Sequence, residues 1–352
     1  MANLTTRGAS IKGIASAVPI ATEGIDALAK SFGEEEARKI AKSTGVTTRH
    51  IVKPGQCTSD LCFAATQKLL AELKWPKESV DALVFVSQTF DYIQPATSCC
   101  LHGRLGLPKS CAAFDIALGC SGYVYGLLAA SNLITSGCER VLLLVGETCS
   151  TNHVSPLDLG NRLLFGDAGT ATALAADPNG KMHFRLGTDG TGYSFLIIPA
   201  GGSRMPRTPE TAIRTQREDG TIRSDEDGYM NGPEVFGFTL REVPSLISGI
   251  LNAAGWTTQE VDAFVMHQAN KFMLDHLSKR LKLPPEKVPL SLGDFGNTSS
   301  ASIPLTITHR LREDLRINKR KVVMAGFGIG LSWGAVATEL GPIVAPDVVI
   351  VP

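Results

Sequence analysis

The chain repeats itself. The stretch Trp75-Pro-Lys-Glu-Ser-Val80-Asp81-Ala82-Leu-Val returns as Trp256-Thr-Thr-Gln-Glu-Val261-Asp262-Ala263-Phe-Val, so Asp81 maps onto Asp262 with a spacing of 181 residues. The same spacing carries Arg140-Val141-Leu142 onto Lys321-Val322-Val323 without a slip. A period this long is no solenoid repeat. It is the signature of a duplicated, domain-sized unit, and 352 residues suffice for two such cores or one large duplicated one.

Each copy reads as alternating helix and strand. In the first, 61–73 is expected to be helical, 82–87 a strand, 111–118 a strand, 123–134 a helix, and 141–145 and 169–176 strands. The second repeats the order: helix 236–254, strand 263–266, helix 272–281, helix 300–312, strands 322–325 and 335–339. Such alternation implies sheets covered by helices. Two copies are expected to pack about a pseudo-twofold axis as a layered α/β/α/β/α sandwich, with the paired helices of both halves in the middle. The division follows: residues 1–177 form a first half, 178–232 a connecting or cap region, and 233–352 a second half.

One stretch in the first half has chemical potential. The apolar run from Cys111 turns sharply at Gly119-Cys120-Ser121-Gly122 and continues into a Leu- and Ala-rich segment without proline. Cys120 is therefore expected on a strand-to-helix elbow, where the unpaired N–H groups and partial positive charge of a helix start favour the thiolate. The flanking glycines permit the turn and leave room for a substrate. By itself such a cysteine is more often an inert core residue. Its duplicate position is Ala301, so the second elbow has no thiol.

The second half supplies other reactive groups at strand ends. His267 follows the strand 263–266, and Asn297 precedes the second elbow in Gly296-Asn297-Thr298-Ser299-Ser300-Ala301. Taken singly, the histidine reads as a satisfied core residue and the asparagine as a helix cap. Near the C-terminus, Gly326-Phe327-Gly328-Ile329-Gly330 has a dinucleotide-like spacing, but 332–340 continues as a strand with no phosphate-binding helix, so the loop fits an oxyanion hole better.

Composition narrows the rest. Basic and acidic residues number 34 each, so no net charge recruits nucleic acid or an anionic membrane. The first residues have no apolar signal core, which gives a cytoplasmic expectation. Eight irregularly spaced cysteines without a Cys-x-x-Cys pair are expected to be reduced, and no metal site is expected. Between the halves, Arg204, Arg207, Arg214, Arg217 and Arg223 alternate with acids. A solvated loop is the simplest reading, and a phosphate grip on a substrate carrier is the sharper one.

Together, Cys120, His267, Asn297 and the Gly326–Gly330 loop resemble the β-ketoacyl-acyl-carrier-protein synthase III family, condensing enzymes of the thiolase fold. Thr44-Gly45-Val46, Phe165-Gly166-Asp167-Ala168-Gly169 and Ser332-Trp333-Gly334 extend the match, which runs from Gly13 to Leu340. The resemblance implies Cys120 as acyl acceptor, His267 and Asn297 as donors to the enolate of a decarboxylating malonyl thioester, and the N–H groups of Cys120 and Ile329 as the oxyanion hole. It implies Phe165, Phe236, Gly328, Lys271, Arg204 and Arg207 as substrate-binding residues. Acyl-coenzyme A or acyl-carrier protein and a malonyl thioester would be substrates, with acyl carrier protein as partner, no cofactor, and a homodimer paired through the strand 111–118. Transfer of the acyl group to a hydroxyl or amine is the alternative.

Departures accompany the match. Lys39 and Ser43 stand where the family usually has a tryptophan and an arginine for coenzyme A. Pro233 replaces a pantetheine-contacting asparagine, Ile329 replaces a loop glycine, and the carrier-docking positions read Gly237 and Lys271-Phe272. These point to a specialised paralogue.

Overall fold

The computed structural model describes residues 1–152 and 154–352. Among them, nine strands form one continuous sheet: β1 (Ala2–Pro19), β2 (Ala82–Val86), β3 (Ala112–Ile116), β4 (Arg140–Glu147), β5 (Ala168–Thr188), β6 (Ala263–Met266), β7 (Arg320–Gly328), β8 (Ser332–Leu340) and β9 (Val349–Val351). Their order is β6-β7-β8-β5-β4-β2-β3, with β1 beside β5 and β9 beside β1.

The duplication is visible in the register. Leu143 of β4 faces Thr172 of β5, which faces Ile14 of β1. In the second half, Met324 of β7 faces Val336 of β8, which faces Phe184 at the far end of β5. The long strand β5 therefore serves both copies: its first part is the fourth strand of one, and residues 182–188 open the other. The division drawn from the sequence placed 178–232 outside both halves. Residues 181–188 are strand, because the chain passes Asp177-Pro178-Asn179-Gly180 with a bulge opposite β1 and stays in the sheet.

The three larger of the cores among the described residues separate the layers. Helix α1 (Thr58–Leu73) buries Leu61, Ala65 and Leu69 against Leu83, Phe85, Leu142 and Leu144 on one outer face. The alternate residues Val84, Val86, Leu143 and Val145 face inward to Tyr123, Val124 and Leu127 of helix α2 (Gly122–Thr135), together with Ile303 and Ile307 of the second elbow and Val265 and Met324 of the second half. Helix α3 (Gly232–Ala254) covers the other outer face, where Phe238, Leu246 and Ile250 join Phe264, Val323 and Ala335. A sheet covered on both sides needs apolar residues at successive positions, which is why these strands read as unbroken runs. The layered α/β/α/β/α sandwich is thus present.

The elements the pattern named lie close to where it placed them, apart from the strand that runs on to Thr188 and the second elbow; the helices Ile25–Phe32, Glu34–Thr44 and Thr97–Leu105 were not in the pattern. Strand β1 is eighteen residues long and had no place in the pattern. The second elbow is not one helix: a 3₁₀ turn (Ser299–Ala301), a helical turn (Ser302–Thr306) and a π segment (Ile307–Leu311) follow one another. Thr308 returns its hydroxyl to the carbonyls of Pro304 and Leu305, loosening the ladder there.

Candidate active site

Cys120 sits between the end of β3 and α2, in a turn closed by the Gly122 N–H on the Gly119 carbonyl at 2.7 Å. Ser121 ties this elbow to the second half through a 2.6 Å hydroxyl bond to Ser332. The glycines around it are demanded by packing. A Cβ on Gly122 would meet Val86 at 2.7 Å, and one on Gly119 would meet the Gln88 amide oxygen at 2.4 Å. From the opposite half, a Cβ on Gly326 would lie 2.7 Å from the Cys120 carbonyl, and one on Gly328 would lie 2.8 Å from Cys120 Cβ and 2.9 Å from Sγ. The glycine loop is therefore pressed directly onto the nucleophile's elbow.

The Cys120 sulfur is buried, and burial pushes its thiol above the ordinary range. A hydrogen bond with Ser299 and the backbone N–H groups of Ile329 and Cys120 pull the other way. The helix start was expected to favour the thiolate; desolvation outweighs the hydrogen bonds to the sulfur, and the thiol is raised. The two N–H groups expected to form an oxyanion hole are the two that face the sulfur.

Ser299, which sequence reasoning passed over, connects everything. Its hydroxyl is 3.8 Å from Cys120 Sγ, its N–H donates to Asn297 Oδ1 at 2.8 Å, and its backbone also hydrogen-bonds His267. It holds φ at +50°, a conformation that a serine does not announce. Asn297 donates its amide to the Ala269 carbonyl at 3.2 Å and is fixed through its own backbone to Leu164 and Gly166.

His267 follows β6 and is buried beside Phe327. Ser302 Oγ accepts the Gln268 N–H at 3.3 Å and lies 2.8 Å from His267 Nδ1, so its own proton is free to point at Nδ1. That arrangement leaves the imidazole proton on Nε2. Burial holds the histidine down to about 4, hence neutral near pH 7.

A cavity of about 310 Å³ ends on Cys120 and Ser299, with Phe165, Ile329, Leu196, Tyr229 and Met230 among its walls. That is the lower end of the range for small-molecule sites. Of the residues the resemblance implied for substrate, Phe165 lines this cavity and Gly328 backs the sulfur. Phe236 instead is half-buried against the rings of Phe272 and His276, tilted to the first and edge-on to the second, next to Lys271, which pairs with Asp275 at 2.6 Å. Arg204 and Arg207 stand on an exposed loop away from the cavity walls, and Arg207 pairs with Glu226. The neighbouring Arg214, Arg217 and Arg223 are each paired with an aspartate, so their charges are committed within the loop. Lys39 is engaged by Glu35 and Glu36 on its own helix.

Behind the sulfur lies Glu147, at the end of β4. It is buried, accepts hydrogen bonds from Ser87, Gln88 and Thr89, and is pushed up to about 8 by desolvation. Nothing in the sequence separates this glutamate from the surface ones. All eight cysteines are free. Among the described residues no cluster of side chains could hold a metal ion, and no helix is long and apolar enough to cross a membrane.

Comparison with known proteins gives this geometry a family. Residues 114–190 match the model for 3-oxoacyl-[acyl-carrier-protein] synthase III, and residues 251–340 match its C-terminal counterpart. The β-ketoacyl-[acyl-carrier-protein] synthase III of Symbiobacterium thermophilum is 36% identical over 86% of this chain and 89% of its own. Among solved structures, a 3-oxoacyl-(acyl-carrier protein) synthase from Burkholderia xenovorans LB400 superposes with a TM-score of 0.94 at 44% identity, covering 99% of both chains. The synthase III of Pseudomonas aeruginosa PAO1 gives 0.82 at 32% identity, covering 96% of this chain and 100% of that one. With the thiolase-type fold, the buried cysteine elbow and the full-length likeness in agreement, this chain belongs to the 3-oxoacyl-[acyl-carrier-protein] synthase III family.

Proposed function

We propose that the protein is a condensing enzyme that joins a Cys120-bound acyl group to a decarboxylating malonyl thioester and releases a 3-oxoacyl thioester. The observation that carries this reading is the convergence of Cys120, His267 and Asn297 on Ser299, from two different halves of the molecule. In the first step the Cys120 sulfur attacks a thioester carbonyl, whose oxygen receives the N–H groups of Cys120 and Ile329. The carbon–sulfur bond to the carrier breaks, and the thiol proton leaves with the carrier's sulfur.

In the second step a malonyl thioester loses carbon dioxide. The resulting enolate oxygen accepts hydrogen bonds from His267 Nε2–H and the Asn297 amide, both neutral and both held in place by their neighbours. The enolate carbon then attacks the acyl-Cys120 carbonyl, a carbon–carbon bond forms, and the sulfur is released to take up a proton. The two thioesters supply all the atoms, so no resident cofactor is required.

Acyl carrier protein is the proposed carrier of the malonyl group, supported by the family and by the exposed Lys271 and Phe272, backed by the half-buried Phe236. A homodimer is proposed as the working assembly, through the edge strand β3. The decisive test is intact-mass analysis with acyl thioesters. Cys120→Ala is expected to lose acyl labelling, and Asn297→Ala to keep it while losing malonyl decarboxylation. Equal labelling of Cys120→Ala would sink the proposal. Product mass separates it from transfer to a hydroxyl or amine, since only condensation adds two carbons and a ketone.

A further inference from the structure

Gln88 brings a carboxamide into the cavity that ends on Cys120. Its main chain cannot swing away: both Glu147 oxygens accept its N–H, at 3.1 and 3.2 Å, while the hydroxyls of Ser87 and Thr89 on either side donate to the same carboxyl group at 3.2 and 2.8 Å. Its side chain packs against Gly119, the residue before the nucleophile. A Cβ built there would lie 2.4 Å from Gln88 Oε1 and 2.9 Å from Ile329 Cγ2. The amide thus lies beside the residue preceding the sulfur and the residue whose N–H faces it. Among the described residues no group hydrogen-bonds this amide, and Gln88 is half-buried.

An amide in that position discriminates by chemistry. A plain alkyl chain seated on Cys120 would strip water from the carboxamide and give it nothing in return, whereas a chain bearing a hydroxyl or carbonyl restores the hydrogen bond. We propose that Gln88 selects the primer, favouring a short acyl group with a neutral oxygen function near the thioester carbon, at C3, over the unsubstituted chain of equal length. This rests on the condensing-enzyme reading above. The chemistry of loading is unchanged: the sulfur–acyl bond forms, the bond to the carrier sulfur breaks, and the thiol proton goes to the departing sulfur.

The test compares loading of 3-hydroxybutyryl-coenzyme A and butyryl-coenzyme A by intact-mass time courses, for the wild type and for Gln88→Met, an unbranched side chain of similar length. The wild type is expected to load the hydroxylated chain about tenfold or more faster, the discrimination a partly solvated hydrogen bond supplies. Gln88→Met is expected to abolish or reverse that ratio. Equal loading by the wild type, or an unchanged ratio in the variant, overturns the inference and leaves the condensing reading standing. Absence of acyl-Cys120 with either chain and with acetyl-coenzyme A overturns both. The wild-type ratio decides the matter even if the variant does not fold.

Discussion

The hydroxyl of Ser299 stands 3.8 Å from the Cys120 sulfur, across the seam between the two copies. A hydrogen bond to the sulfur favours the thiolate, and here it works against the desolvation that raises the thiol. Ser299→Ala is therefore expected to move the midpoint of Cys120 alkylation to higher pH. The measurement is the iodoacetamide rate as a function of pH, read at Cys120 by peptide mass. A midpoint that stays put or falls would show that the hydroxyl has no hold on the sulfur.

Gly328 faces the same atom from the other side. An added methyl group would have to occupy space 2.8 Å from Cys120 Cβ and 2.9 Å from Sγ, and the elbow is fixed by Ser121 and Ser332. Gly328→Ala is predicted to displace the sulfur and lower the acylation rate by about 10²-fold, the usual penalty for a misplacement near 1 Å. Single-turnover acylation is the readout. Unimpaired acylation would mean that the loop yields without cost.

His267 gives the reaction its acidic limit. Burial places its protonation at about 4, so from pH 5 upward it stays neutral and keeps Nε2–H available as a donor. The decarboxylation rate of malonyl thioester is expected to show no histidine-like step between pH 6 and 7, where a solvent-exposed imidazole titrates. A step in that interval that vanishes in His267→Gln would contradict the assignment.

These three sites differ in how much of them could be read beforehand. Cys120 and His267 were legible because each follows a strand, and Asn297 because it precedes the second elbow. Singly, each reads as a core or capping residue, and it was their combination, with its resemblance to a known family, that picked them out. Ser299 was not legible: its contribution comes from a positive φ and from three contacts made in three dimensions, and its neighbours Thr298 and Ser300 look no different in sequence. Residues 181–188 were hidden for a local reason. Asp177-Pro178-Asn179-Gly180 signals a chain reversal, yet β1 pairs on both sides of it and carries the strand through.

Glu147 makes a prediction about stability. A carboxyl whose folded value is raised to about 8 binds a proton that the unfolded chain has already lost. Below the unfolded value both states are protonated and nothing is contributed. As pH climbs from there toward 8 the folded state is progressively disfavoured, and above 8 the full penalty applies. Glu147→Gln keeps an acceptor for the Gln88 N–H and removes the charge. Its melting temperature should match the wild type near pH 4 and exceed it by a margin that widens up to pH 9. A constant difference across that range would place the ionisation elsewhere.

The edge of the sheet supplies the last prediction. Strand β3 ends the sheet order, pairs with β2 on one side only, and contains neither proline nor lysine, the usual protections of a free edge. Phe114 on this strand is exposed, as are Phe90, Tyr92 and Ile93. Meanwhile Asp115 is occupied in capping the helix Thr97–Leu105 through the N–H groups of Thr97 and Ser98, at 2.8 Å each, so its charge is committed inward and does not guard the edge. A strand left in this condition is satisfied by an identical strand across a twofold axis, which pairs its open backbone groups and covers Phe114 at once. Phe114→Glu would set two like charges close to that axis while leaving the fold of each chain alone, because the side chain is not part of any core. The wild type is expected to sediment as a dimer at micromolar concentration and Phe114→Glu as a monomer with an unchanged circular dichroism spectrum; a wild type that sediments as a monomer would remove β3 as the contact.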